Sequence, residues 1–153
     1  MIVVSDTTAI TSLLQVGQCD LLARLYGVVL IPQAVHQELL VAHLVLPDFL
    51  CVEPAHNRAE VQRLQSELDL GEAEAIVLAK EKTADLLLMD EAEGRRVALR
   101  EGVSIIGLLG VLVQAKRSGL ILSVRELTAK LEDIADFRVA DEVKAMVFRK
   151  AGE

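Results

Sequence analysis

The chain has 153 residues, 52% of them hydrophobic and 25% charged, with a formal net charge of −7; a chain of about 150 residues buries roughly 70% of the surface its unfolded form exposes, so a single domain over 1–153 is expected and a second is excluded. The mean hydropathy of +0.40 raises the question of a membrane, yet the longest uncharged stretch, Gly102 to Ala115, falls short of the about 18 to 20 apolar residues that a spanning helix needs. The opening MIVVSD has no basic leader and puts Asp6 where a signal peptide would be apolar, so a cytoplasmic protein with no membrane partner is expected.

Short apolar runs alternate with longer stretches of helical period, which predicts a mostly parallel central sheet with helices on its faces, an α/β architecture of three layers. The first run, Ile2 to Val4, ends at Ser5-Asp6-Thr7-Thr8, after which Ile10, Leu13 and Leu14 recur at helical spacing. Val28 to Ile31 is a second strand. Pro32 follows it at a position suited to a first helical turn, in a helix that turns Val35, Leu39 and Leu40 inward and leaves Glu38 off the apolar stripe. Phe49 to Val52, bracketed by Pro47 and Pro54, reads as an edge strand.

Asn57 to Leu68 is amphipathic, Gly71 breaks the pattern, and Glu72 to Lys82 resumes it with Ile76, Leu78 and Ala79 turned inward. Asp85 to Met89 carries the clearest strand, apolar on both faces, and stops at Asp90-Glu91. A helix through Arg95, Arg96 and Ala98 reaches a C-terminal cap at Gly102, and the strand Val103 to Ile106 follows. Helices over Leu108–Arg117, Val124–Ile134 and Asp141–Lys150 complete the chain, with Ser123 and Glu126 forming a capping box. The segment 123–153 is expected to pack on the core or against a second copy of the chain.

In an open parallel sheet, ligands sit beyond the carboxyl ends of the strands, so the polar residue after each strand is the first candidate. Asp6 and Asp90 occupy such places, and Glu38 and Glu72 stand on helices able to line the same crevice. Gathered carboxylates repel one another and resist desolvation, so they persist only with protons or a hard cation among them. Magnesium or manganese fits oxygen ligands of this kind, and the chemistry implied is hydrolysis of a phosphodiester by activated water. Each acid also has a plainer explanation: Asp6 as a helix N-cap, Glu38 and Glu72 as solvated charges. Glu74 lies roughly 200° around the helix from Glu72, which places it behind the site or on the surface.

Two cysteines with no CxxC pairing, Cys19 and Cys51, read as small core residues rather than as a disulfide or zinc site. His36 and His43 are lone histidines on mixed helical sequence and read as surface or core groups. Aromatic residues make up 3% of the chain, too few for a base-stacking platform.

The segments IVVSDTTAI, IPQAVHQEL, GEAEAIVLA, ADLLLMDEAEGRRVA and SIIGLLGVLVQAKRSGLI, in that order, resemble a PIN domain, the metal-dependent nuclease fold of VapC-type toxins. The likeness is strongest to the short PIN-like proteins often encoded beside antitoxins. It implies a three-layer fold with an acidic metal pocket. The family's first-strand acid falls on Asp6, with Thr7 or Thr8 near the pocket, its helical acid on Glu38, and its third acid, usually Asp, on Glu72. Asp90 and Glu91 compete for the fourth place; Asp90 is preferred, with Glu91 or Glu93 in support. Ala9 replaces the proline usual after the opening motif.

The resemblance implies an endoribonuclease, the toxin of a toxin–antitoxin pair, that cleaves single-stranded RNA with Mg2+ or Mn2+ and pairs with an antitoxin protein and a second copy of itself. A net charge of −7 opposes nucleic-acid binding, but Arg95 and Arg96, one turn beyond Asp90, are placed to bind a backbone phosphate. Lys80, Lys82, Arg100, Lys116 and Arg117 form further local patches, the last two suited to a helix C-terminus. A phosphoacceptor receiver would need a lysine after its last strand, which Ser104 to Gly107 lacks. A dehalogenase-type phosphatase would need Asp where Thr8 stands. The rival reading is an inactive PIN-like module that binds nucleic acid or regulates.

Overall fold

A computed structural model describes residues 1–153. Five short strands, β1 (Val3–Ser5), β2 (Val29–Ile31), β3 (Leu50–Val52), β4 (Leu86–Leu88) and β5 (Ile105–Ile106), form one sheet in the order β3-β2-β1-β4-β5. Every neighbouring pair is parallel. The chain runs outward from β1 to β3, then returns to the other side of β1 for β4 and β5. The order therefore reverses between β1 and β4, in register at Ser5 and Leu88, and a crevice opens beyond the strand ends at such a reversal.

Side chains alternate across each strand, so Val3 and Leu88 enter one core while Val4, Leu87 and Met89 enter the other. The first core is covered by α1 (Thr7–Gln15), α2 (Asp20–Tyr26), α3 (Gln33–Ala42), α7 (Leu108–Arg117), α8 (Val124–Ile134) and α9 (Asp141–Lys150). The second lies under α4 (Arg58–Leu64), α5 (Leu70–Glu81) and α6 (Ala92–Arg100). With almost no aromatic residues, both cores are aliphatic; truncating a fully buried leucine such as Leu87 to alanine is expected to cost about 2–5 kcal/mol.

The three layers and the parallel sheet agree with the pattern of the sequence, but several local expectations are corrected. Gly71 does not interrupt a helix. It lies in the first turn of α5, whose N-cap is Asp69, the Asp69 carboxylate accepting from the Glu72 amide at 2.8 Å. Helix α2 adds an element that the spacing did not mark; Gly17, at φ +71°, turns the chain before it, and Leu21 and Leu22 are buried beneath it. Cys19 is buried as expected, whereas Cys51 is exposed on the edge strand β3. Helices α8 and α9 pack on the chain's own core through Leu127, Leu131, Val147 and Phe148, leaving Val143 exposed.

Glu74 is not a surface group. It is 4% exposed, accepts from the Ala34 amide at 2.9 Å and pairs with Arg58 at 2.8 Å. It thus satisfies a free N–H in the first turn of α3 from across the crevice wall, and binds α3, α4 and α5 together.

Candidate active site

At the reversal between β1 and β4 the ends of the strands deliver acids. Asp6 directly follows β1, its amide bonded to the Leu88 carbonyl at 3.2 Å, and its side chain is 3% exposed. Asp6 is the N-cap residue of α1; its carboxylate makes no full capping bond, although the Thr8 amide in the first turn lies close enough to draw on it. Asp90 follows β4 by one residue and fixes its Oδ1 on the Leu108 amide at the start of α7, 3.0 Å away. Each acid keeps one buried oxygen, Oδ1 of Asp6 and Oδ2 of Asp90, with no hydrogen-bond partner. A buried carboxylate oxygen left alone is costly, which marks a place for a proton or a cation.

The electrostatics agree. Burial pushes the Asp6 carboxyl well above its ordinary range, and the charges of Asp90, Glu72 and Glu91 push the same way, while the Thr8 amide opposes them. Burial also raises Asp90, against the pull of the Leu108 amide and the Arg95 guanidinium. Glu72 is raised to about 7, first by burial and then by the Asp69 carboxylate beside it. Asp6, Glu72, Asp90 and Glu91 therefore feel one another across one site, the outcome expected of repelling charges held in low dielectric.

Glu38 reaches the same crevice from α3, held by the Thr7 hydroxyl, which donates to its Oε2 at 2.5 Å. Asp6, Thr7, Thr8, Glu38 and Glu72 line this space of about 410 Å³, with Glu91 and Glu93 exposed at its rim. The alternatives for the fourth acid differ in depth: Asp90 is half-buried with its Oδ2 enclosed, and Glu91 is exposed.

Three glycines give the acids room. A Cβ on Gly71 would stand 2.6 Å from Glu38 Oε1, one on Gly94 2.8 Å from Glu72 Oε2, and one on Gly107 3.0 Å from Asp90 Oδ1. Separations below 3.0 Å do not occur between real Cβ atoms and their neighbours, so a side chain at Gly71 would displace Glu38, and one at Gly94 would strike Met89 Sδ at 2.6 Å as well as Glu72. Nothing in the sequence pattern assigns Gly71, Gly94 or Gly107 to the site, nor Asp69. Asp69 was visible in principle as the first member of an Asp-x-x-Glu capping pattern.

The two arginines expected at the substrate lie differently from one another. Arg95 is half-buried beside Asp90 and donates to the Met89 carbonyl at 3.0 Å. Arg96 is exposed and engaged by Glu67 at 3.1 Å and Glu93 at 3.0 Å. Arg100 joins it on Glu67, and Lys80 is held by Glu60 and Glu101. These cations are neutralised on the outer faces of α4 to α6. His43 meets Thr11 at 3.3 Å, away from the acids.

An all-parallel α/β sheet with buried acids at its reversal defines the class, a three-layer α/β domain with a carboxylate crevice. A family model described as a PIN domain matches residues 2–153, and the chain belongs to the PIN domain family. No curated protein and no solved structure matches it.

Proposed function

We propose that the protein is a metal-dependent endoribonuclease that hydrolyses phosphodiester bonds of single-stranded RNA, acting as the toxin of a toxin–antitoxin pair. The observation that carries this reading is the pair of unpartnered buried oxygens on Asp6 and Asp90 at the mouth of the sheet. No three acidic, histidine or cysteine side chains are drawn tightly enough to ligate one ion directly. That arrangement suits magnesium, which keeps several waters and is bound through one or two carboxylates. Asp6 and Asp90 would hold the ion directly, with Glu38 and Glu72 reaching it through water. Bound there, a divalent cation would supply an activated water and polarise the phosphoryl oxygen.

The chain's own contribution is position and charge. The Leu108 amide fixes Asp90 through one oxygen and leaves the other free, and Thr7 orients Glu38. Burial and the Asp69 carboxylate raise the Glu72 carboxyl to about 7 when no cation is bound, which places it among the groups that a cation in the crevice would neutralise. The packed strand ends exclude water from behind the acids, which strengthens every charge interaction in the crevice.

An antitoxin protein, self-association as a homodimer and a cytoplasmic location belong to the same proposal; no helix of the chain is long and apolar enough to cross a membrane. The test is incubation of labelled single-stranded RNA with the protein in magnesium or manganese, beside Asp6→Asn purified identically. Cleavage that vanishes with Asp6→Asn and with a chelator supports the reading. RNA binding without cleavage in either protein would replace it with the inactive module.

A further inference from the structure

A second groove, of about 1020 Å³, starts at Asp90, Glu91 and Arg95 and runs along α7 toward the last turn of α9. Its floor is aliphatic, with Leu109, Val113 and Met146 among its lining residues. Four cations line it, three of them Arg95, Arg117 and Lys150. None of the three forms an ion pair, whereas Arg63, Lys80, Arg96 and Arg100 on the opposite layer are each held by at least one glutamate. Arg117 donates one N–H to the Lys150 carbonyl at 3.1 Å and keeps its remaining donors. A fourth cation in the groove, Arg138, is paired with Asp136 at 2.8 Å. In a chain of net charge −7, cations left unpaired along one groove that opens from the acid crevice mark a path for a polyanion.

Resting on the ribonuclease reading, we infer that the RNA strand leaves the crevice along this groove, with Arg95, Arg117 and Lys150 binding successive backbone phosphates and the aliphatic floor receiving the bases. The start of α7 grips Asp90, and Arg117 stands at its other end, about 14 Å away at 1.5 Å per residue, so the path spans several nucleotides. Helix C-terminal charge would also account for Arg117 and Lys150 one at a time. It does not account for their joint opening onto the groove that contains Asp90.

The test uses Asp6→Asn protein in magnesium and a labelled single-stranded RNA of random sequence, with binding followed as salt is raised. Combining Arg117→Ala with Lys150→Ala is expected to weaken binding about tenfold and to flatten the slope of log affinity against log salt by about 1.4, the value for two lost phosphate contacts on a single strand. Arg117→Lys alone, which keeps the charge, should leave most of the slope in place. Arg96→Ala with Arg100→Ala should leave affinity and slope unchanged. An unchanged slope in the Arg117/Lys150 variant, with the melting temperature retained, would overturn the path and assign the groove to another ligand, such as an acidic peptide. So would an equal loss in the Arg96/Arg100 variant. If the Asp6→Asn parent binds no RNA at all, both the path and the ribonuclease reading fall.

Discussion

Gly71 lies against Glu38: a methyl group added to the glycine would come within 2.6 Å of the glutamate's Oε1. The first turn of α5 thus serves as the backstop of an acid carried by α3. Gly71→Ala should therefore separate stability from activity. Alanine is favoured over glycine in a helix by up to about 1 kcal/mol, and Glu38 can swing aside toward solvent, so the melting temperature is expected to hold or rise. RNA cleavage should fall about tenfold or more, corresponding to ~1.4 kcal/mol in the barrier. Melting and initial rates on the same sample check both signs.

Asp90 and Glu91 stand side by side in the chain, yet one is half-buried on the Leu108 amide and the other exposed at the rim. Asp90→Asn is expected to abolish cleavage while the protein stays folded, because the amide oxygen still accepts from Leu108. Glu91→Gln should reduce the rate by less than about tenfold. Comparable losses in the two variants would refute the assignment by depth.

The raised acids also predict an unusual pH dependence for protein held in chelator. Asp6, Asp90 and Glu72 bind protons more readily when folded, so stability falls as pH rises from the ordinary carboxylate value to the folded one. For Glu72 that window ends at about 7. Glu60, Glu67, Glu101 and Glu153, each lowered to about 2, act in the opposite sense. Their contribution is complete above the ordinary carboxylate range and is lost only as pH falls toward 2, so it does not mask the first effect. The melting temperature should decline between about pH 5 and 7. Asp6→Asn should flatten the decline and raise stability at pH 7, and added manganese should flatten it in the parent.

Glu74 acts through the fold alone. Glu74→Ala leaves the Ala34 amide and the Arg58 guanidinium without their partner, and an unsatisfied buried group costs about 1–3 kcal/mol. Denaturant unfolding should show that loss. Cleavage by the fraction still folded should be unchanged at temperatures well below melting.

The sequence made the layered α/β architecture and the gathering of Asp6, Glu38, Glu72 and Asp90 about one end of the sheet legible, because strand ends, helical period and the PIN-like segments all depend on near neighbours. What it hid depends on distant ones. Nothing near Glu74 in the chain announces Ala34 and Arg58, and its angular offset from Glu72 left a place behind the site and a place on the surface both open. Arg96 looked available because Glu67, its partner, lies 29 residues away. Gly71 resembled a helix breaker because glycine is a poor helix former, and the reason for it sits on another helix. Cys51 was assigned by residue type, whereas an edge strand leaves one side of the sheet uncovered.

The tie between Asp90 and α7 reaches farther than the crevice. The helix that grips the acid by its first amide is fastened at its far end, through Arg117, to the carbonyl of Lys150 in the last turn of α9. One helix thus joins the buried carboxylate to the C-terminal helix, so the position of Asp90 is tied to the placement of α9.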